Sequence, residues 1–265
     1  MIRTLLTLLL AACSLPAAGL NSAQLARIPE RMKAFADQGQ IAGAVMLVTH
    51  QGKPALFEAV GFQDLETKKP MRKDSLFQVM SMTKPFTGVG IMMLLEEGRL
   101  SLNDPVEQHL PEFRGLRVAE KKEGDASLLV RPARPITIRD LMTHTSGMSS
   151  RPAEGLKELY TRLDRTLAEA VLFYSQTPLE FQPGTRWLYS NPGIATLGRI
   201  IEAVSGRPFE RFIAERIFQP LGMKDSHFFV PEDKHGRIAA IYRYDGKGLK
   251  KADVDLFRVG AKYPS

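Results

Sequence analysis

Ser81 and Lys84 stand three residues apart, ahead of an apolar run (Val89, Ile91, Met92, Met93, Leu94, Leu95) that stops at Gly98. Side chains three apart on a helix are neighbours, so the pair predicts a hydroxyl and an amine presented together where a helix opens. A serine so placed is a nucleophile when a base takes its proton. A lysine can be that base only where burial or nearby cations lower its pKa. The helix N-terminus adds backbone N–H groups and partial positive charge, suited to a developing oxyanion. Pro85 falls in the first turn, where N–H groups have no intrahelical partner, and so costs the helix little. Alone, S-x-x-K equally describes a capped helix with a solvated lysine. A second element, Tyr189-Ser190-Asn191, lies in a Pro- and Gly-rich loop, with Gln182-Pro183-Gly184 before it and Pro192-Gly193 after. Residues two apart in an extended loop point the same way. Held near Lys84, the Tyr189 phenol can relay a proton, and Asn191 can orient Lys84 and a substrate.

The elements that must position these residues are legible in outline. Asn21 to Gln40 has a helical period with Asn21 or Ser22 as N-cap. Ala42 to His50 and Pro54 to Val60 predict a β-hairpin turning at Gln51-Gly52. Leu76 to Met80 is short and strand-like, and Ile238 to Tyr244 predicts a further strand. Ser81 and Tyr189 are 108 residues apart, with a stretch rich in helical pattern and proline between them, so the chain must leave the site and return. Such content suits a helical lobe rather than more sheet. The expected organisation is an α/β lobe from residues 20–100 and 231–265 and an all-helical lobe from 101–230. The site should lie between them, with Ser81 on one side and the Tyr189 loop descending from the other. Ser81 Oγ should reach Lys84 Nζ by a hydrogen bond, with Tyr189 Oη within ~5 Å of the pair.

Further segments sharpen this. Phe77-Gln78-Val79-Met80 precedes the Ser81 motif. Leu102-Asn103-Asp104-Pro105-Val106 leads to Leu110-Pro111, and Ile136 to Met142 leads into Thr143-His144-Thr145-Ser146-Gly147. Leu197-Gly198 and Pro220-Leu221-Gly222-Met223 follow the Tyr189 loop. As an ensemble, over residues 22 to 265, the chain resembles the serine β-lactamase and penicillin-binding-protein superfamily, specifically its class C β-lactamase-like hydrolases and esterases. The resemblance implies an α/β fold: an antiparallel sheet lobe flanked by helices plus an all-helical lobe. It implies Ser81 as the acylated nucleophile, Lys84 as general base or proton shuttle, Tyr189 as carrier of the proton to the leaving group, and Asn191 as a polar contact to substrate. It implies no metal and no cofactor. The five histidines have no ligand-like spacing, and the resemblance gives His144 a structural role. The substrate would be a small-molecule ester, lactam or peptide.

The resemblance also implies a third motif, Lys-Thr-Gly or His-x-Gly, on a strand lining the cleft. Neither occurs after Asn191. The expectation is therefore a chain truncated at its C-terminus, lacking part of the sheet and one oxyanion donor. Losing one such donor typically costs ~10²–10³ in kcat, and losing those strands leaves an unpaired sheet edge. The alternative is a non-catalytic envelope protein that binds peptidoglycan fragments or a partner.

Met1-Ile2-Arg3 followed by an uncharged run from Thr4 to Cys13 predicts a secretory signal over residues 1–19, because so short a run cannot span a ~30 Å hydrocarbon core. Leu10-Ala11-Ala12-Cys13 resembles a lipobox, so either Cys13 becomes the lipidated first residue or cleavage follows Gly19. The protein is expected to be exported: periplasmic, secreted, or held at the membrane through that lipid anchor alone. A single cysteine excludes an internal disulfide framework. Lysine and arginine exceed aspartate and glutamate by 36 to 29. Yet Arg114, Arg117, Lys121, Lys122, Arg131, Arg134 and Arg139 alternate with acidic residues, and no aromatic series accompanies them, which argues against a nucleic-acid face. Oligomeric state has no signature in the sequence.

Overall fold

The computed structural model describes residues 19–121, 127–151 and 164–252. The signal segment and Cys13 lie outside the described residues, apart from Gly19. By internal contacts the chain divides into two units, one formed by residues up to Leu76 together with those from Arg237, the other by the stretch between.

The first unit begins with helix α1, Ser22–Asp37, whose N-cap Asn21 accepts from the Gln24 N–H at 3.1 Å. It is followed by an antiparallel hairpin of β1, Gly43–His50, and β2, Lys53–Asp64. Gln51 and Gly52 turn between them with φ of 49° and 74°, the left-handed geometry that matches the twist of two paired strands. β2 continues past β1 to pair with the short β3, Lys69–Pro70, giving the order β1-β2-β3. Leu47 and Phe57, opposite each other in the hairpin, are both exposed. The expected strand over Ile238–Tyr244 forms only at its end: β6, Tyr242–Tyr244, pairs with β7, Leu249–Lys251. Upstream the chain is stitched to this unit by single bonds instead. The Leu76 N–H donates to the Arg237 carbonyl, the Ala239 N–H to the Leu76 carbonyl, and the Ala240 N–H to the Gln63 carbonyl. The run at Leu76 is thus one bridge to Ile238 rather than a strand.

The second unit carries the larger core. Helix α2, Lys84–Glu96, buries Ile91 and Leu94 completely. It packs against α6, Asn191–Ser205, and α7, Phe209–Ile213. The helices approach so closely that a Cβ on Gly90 would come within 2.8 Å of Ile201 Cδ1. Helix α3, Val106–His109, precedes a two-stranded ribbon of β4, Val118–Lys121, and β5, Ser127–Val130, so this unit is not purely helical as expected. Helices α4, Ile138–Met142, and α5, Leu167–Ser175, both open with reciprocal capping boxes, Thr137 with Asp140 and Thr166 with Glu169. Beneath α4, Asp140 accepts from both Arg134 guanidinium nitrogens, at 2.5 and 2.9 Å.

The boundary differs from the one drawn on the sequence. α2 joins the helical unit, because its covered face meets Ile201, Phe212 and Ile213. The α/β unit ends at Leu76, not near residue 100. Among the described residues no helix is long and apolar enough to cross a membrane.

Candidate active site

Ser81 sits in a 3₁₀ turn, Met80–Thr83, that runs directly into α2 at Lys84. The Met82 N–H closes the turn on the Val79 carbonyl at 3.0 Å, and Thr83 Oγ1 donates to the Met80 carbonyl at 2.7 Å. Met80 has φ of 50°, unusual for a side chain without a local hydrogen-bonding group. Backbone held this way costs on the order of 1–3 kcal/mol and is characteristic of functional turns. Pro85 occupies the first turn of α2, as its missing N–H permits. Ser81 itself is exposed.

With this geometry the three-residue spacing brings Ser81 and Lys84 together: Lys84 Nζ donates to Ser81 Oγ at 2.9 Å. The same ammonium donates to Asn191 Oδ1, also at 2.9 Å. Tyr189 Oη donates to Ser81 Oγ at 2.8 Å, well inside the expected reach. Lys84 Nζ also lies 4.8 Å from the centre of the Tyr189 ring. All four residues singled out in the sequence therefore form one network. Its elements both belong to the second unit, whereas the sequence reading drew them from two lobes.

The loop that delivers Tyr189 is tied down on several sides. Ser190 is the N-cap of α6, its hydroxyl accepting from the Gly193 N–H at 3.0 Å, which makes Asn191 the first residue of the helix. On the other side stands the Thr143–Gly147 turn. The His144 carbonyl accepts from the Leu188 N–H at 2.9 Å, and His144 Nδ1 accepts from the Ser190 N–H at 3.2 Å. The imidazole lies against the Tyr189 ring, centroids 4.8 Å apart and planes inclined by 34°. Ser150 Oγ makes long contacts of 3.4 Å with the Tyr189 carbonyl and the Asn191 N–H. The contacts of His144 and Ser150 with this loop were not read from the sequence. The only trace of them was the Thr-His-Thr-Ser-Gly run, whose pairing partner is remote in sequence.

Two groups here depart from their ordinary acidity. The Lys84 ammonium, and secondarily the Ser81 hydroxyl bonded to it, hold the Tyr189 phenol below the usual phenol range. Burial, with the Lys84 charge adding to it, holds the His144 imidazole below its usual value, so the neutral ring is favoured. Two shallow hollows lie away from these residues, one along α1 beside Gln24, Arg27 and Arg31 and one beside Phe113, Arg131 and Leu179. Among the described residues no cluster of three His, Cys, Asp or Glu side chains could hold a metal ion.

The chain belongs to the β-lactamase family, whose model matches residues 28–260. It is 35% identical over 239 residues to Esterase EstB of Burkholderia gladioli, a match covering 85% of this chain and 57% of the esterase. It is 29% identical over 213 residues to a Beta-lactamase of Pseudomonas fluorescens, covering 80% of this chain and 53% of that protein. Among solved structures, EstCE1, described as a hydrolase with promiscuous acyltransferase activity, superposes with a TM-score of 0.75 at 29% identity, over 87% of this chain and 60% of that one. The chain thus spans little more than half the length of these curated relatives. The α/β architecture of a sheet-bearing unit and a helical unit is that of the family.

Proposed function

We propose that the protein is a serine hydrolase acting through an acyl-enzyme on esters or related acyl compounds. The observation that carries this reading is the double contact on one oxygen: Ser81 Oγ lies 2.9 Å from Lys84 Nζ and 2.8 Å from Tyr189 Oη. When the Lys84–Tyr189 pair gives up one proton, the direction of a bond reverses and Ser81 becomes the donor. Its oxygen then attacks the acyl carbon while its proton passes to that pair. Collapse of the tetrahedral adduct breaks the bond to the leaving alkoxide or amine, which takes the proton from Tyr189. Water gives a proton to the same pair as its oxygen attacks the acyl carbon, and collapse breaks the bond to Ser81 Oγ, which takes that proton back as the acid product leaves. The position of Ser81 where a 3₁₀ turn enters α2 favours the negative charge that forms on the acyl oxygen. Asn191 holds Lys84 in place through its 2.9 Å bond and stands where it can contact substrate. Exposed Met82 and Trp187, beside Ser81 and Tyr189 in sequence, offer an apolar group of the substrate a surface to lie on. The homologue names favour an esterase or a β-lactamase-like hydrolase. Residues 1–19 favour export.

The test is covalent. Incubation with a fluorophosphonate or a fluorescent penicillin should leave an adduct that mass spectrometry places on Ser81, and Ser81→Ala should carry none. Absence of an adduct on the wild-type protein, in the chain extended to the length of its relatives as well as in this one, would sink the proposal. A chromogenic cephalosporin run beside short-chain nitrophenyl esters separates lactamase from esterase. A protein that only binds peptidoglycan fragments would instead retain them unchanged by Ser81→Ala.

A further inference from the structure

We propose that His144 is the positioning residue for Tyr189, gripping the backbone on both sides of the tyrosine and releasing one side when its ring takes a second proton. The inference rests on the acyl-transfer reading above, and it concerns a residue to which that reading assigns no part.

The geometry is unusual in its symmetry about one residue. The His144 carbonyl takes the N–H of Leu188 and its Nδ1 takes the N–H of Ser190, so the residues immediately before and after Tyr189 are each held by one bond to the same histidine. The ring lies against the Tyr189 ring at 4.8 Å and meets Trp187 edge-on at 6.0 Å. With its backbone and ring both held, the phenol has little freedom left, and its oxygen points at Ser81 Oγ. His144 has φ of 58°, a left-handed conformation uncommon outside glycine, in which histidine, like asparagine, is found more often than most residues. The turn keeps that conformation through the flanking Thr145–Gly184 and Gly147–Glu180 backbone bonds.

An acceptor nitrogen carries no hydrogen, so the neutral ring bears its proton on Nε2. A second proton must go to Nδ1, where it would confront the Ser190 N–H and put a cation beside Lys84. The charged and titratable groups around the ring are consistent with this being unfavourable. α2 contributes Lys84, whose charge His144 feels, and the facing loop contributes the Tyr189 phenol. Arg186 of that loop lies over Phe181 at 4.8 Å. The carboxylate of α4, Asp140, is engaged by Arg134, Thr137 and Thr145. Burial and Lys84 together keep the ring neutral until the solution is more acidic than an exposed histidine would require.

The experiment compares His144→Asn, His144→Ala and His144→Phe by pH profiles of Ser81 acylation and of nitrophenyl ester turnover. Asparagine tolerates positive φ and offers an acceptor oxygen that does not titrate. The wild type should lose acylation rate on the acid side in two steps, one set by the Lys84–Tyr189 pair and one by His144. His144→Ala should lower kcat by ~10–10²-fold with little change in KM, the size expected when a catalytic group is displaced by about an ångström. His144→Phe, which keeps the stacking and loses the acceptor, should resemble it. His144→Asn should recover to within about threefold and lose the step due to His144, keeping the one set by the Lys84–Tyr189 pair. An acid-side profile in His144→Asn identical in both steps to the wild type, or full activity in both His144→Ala and His144→Phe, would overturn the inference. If the wild type acylates at no pH, the acyl-transfer reading fails, and ¹⁵N spectra of the His144 ring decide the rest. Nδ1 bare in the neutral ring, with Tyr189 resonances that shift as His144 titrates, supports the grip. A proton on Nδ1, or Tyr189 resonances indifferent to the titration, refutes it.

Discussion

Tyr189 Oη meets Ser81 Oγ at 2.8 Å across 108 residues of chain. Two rigid starts make the meeting reproducible: α2 begins three residues after Ser81, and α6 begins two residues after Tyr189. α2 and α6 pack directly, Gly90 against Ile201. The packing of this pair of helices therefore sets the frame in which hydroxyl and phenol meet, and the His144 contacts hold the Tyr189 loop within it.

The phenol should betray its neighbour in a titration. Lys84 is the larger cause of its lowered pKa and Ser81 the second. In an ultraviolet difference titration against Tyr189→Phe, the Tyr189 phenolate should form below the ~10 of a free phenol. Lys84→Ala should move that midpoint upward, and Ser81→Ala should move it less. Indistinguishable midpoints in all three backgrounds would show that the 4.8 Å approach of Lys84 to the ring does not persist in solution. Tyr189→Phe itself should reduce kcat by ~10²–10⁴-fold, the range for losing a general acid–base group.

Asn191 is tested by what it does to Lys84. Asn191→Ala removes an acceptor from the ammonium and should lower kcat by roughly tenfold, KM changing less, because the charge-assisted bond is worth ~1.5–3 kcal/mol at most. Asn191→Asp places a carboxylate there and favours the ammonium over the free amine, so its loss of rate should be larger and should ease as the pH is raised. Equal rates in Asn191→Ala and the wild type would assign Asn191 to helix α6 alone.

Asp140 governs stability rather than chemistry. It is buried, with 4% of its surface exposed, and accepts from Arg134, the Thr137 N–H and the Thr137 hydroxyl. Burial opposes its charge, but Arg134 and the Thr137 donors outweigh it, so its pKa falls below the ordinary carboxylate value. A depressed folded pKa means stability that is present above the unfolded value, ~3.9, and lost as the pH falls through the folded one. Asp140→Asn should cost about 2–3 kcal/mol at neutral pH, toward the low end for breaking such a pair because the Arg134 side chain is 44% exposed. Urea unfolding of both proteins should show that gap closing below pH 4. A gap that stays constant with pH would reject the linkage.

The sequence by itself determined what is local. The helix at α1 was visible in its cap and period, the hairpin in Gln51-Gly52, and the Ser81–Lys84 contact in a spacing that any helical start turns into adjacency. These depend on neighbours within a few residues, whose preferences do not wait for the rest of the chain. Tyr189 and Asn191 were legible as a pair facing one way, and their likeness to a known motif supplied the destination that periodicity could not. What only the tertiary structure decided is which remote surfaces meet. α2 is apolar on most of its circumference, so its pattern could not say which face is covered or which unit it joins; Ile201, Phe212 and Ile213 decide that. The run Ile238–Tyr244 reads as strand throughout, yet a strand exists only where a partner pairs with it, and β7 reaches only Tyr242–Tyr244. His144 was visible as a residue but not as a clamp, because the two N–H groups it holds lie more than forty residues away and become its partners only when the loop before α6 folds against the turn after α4.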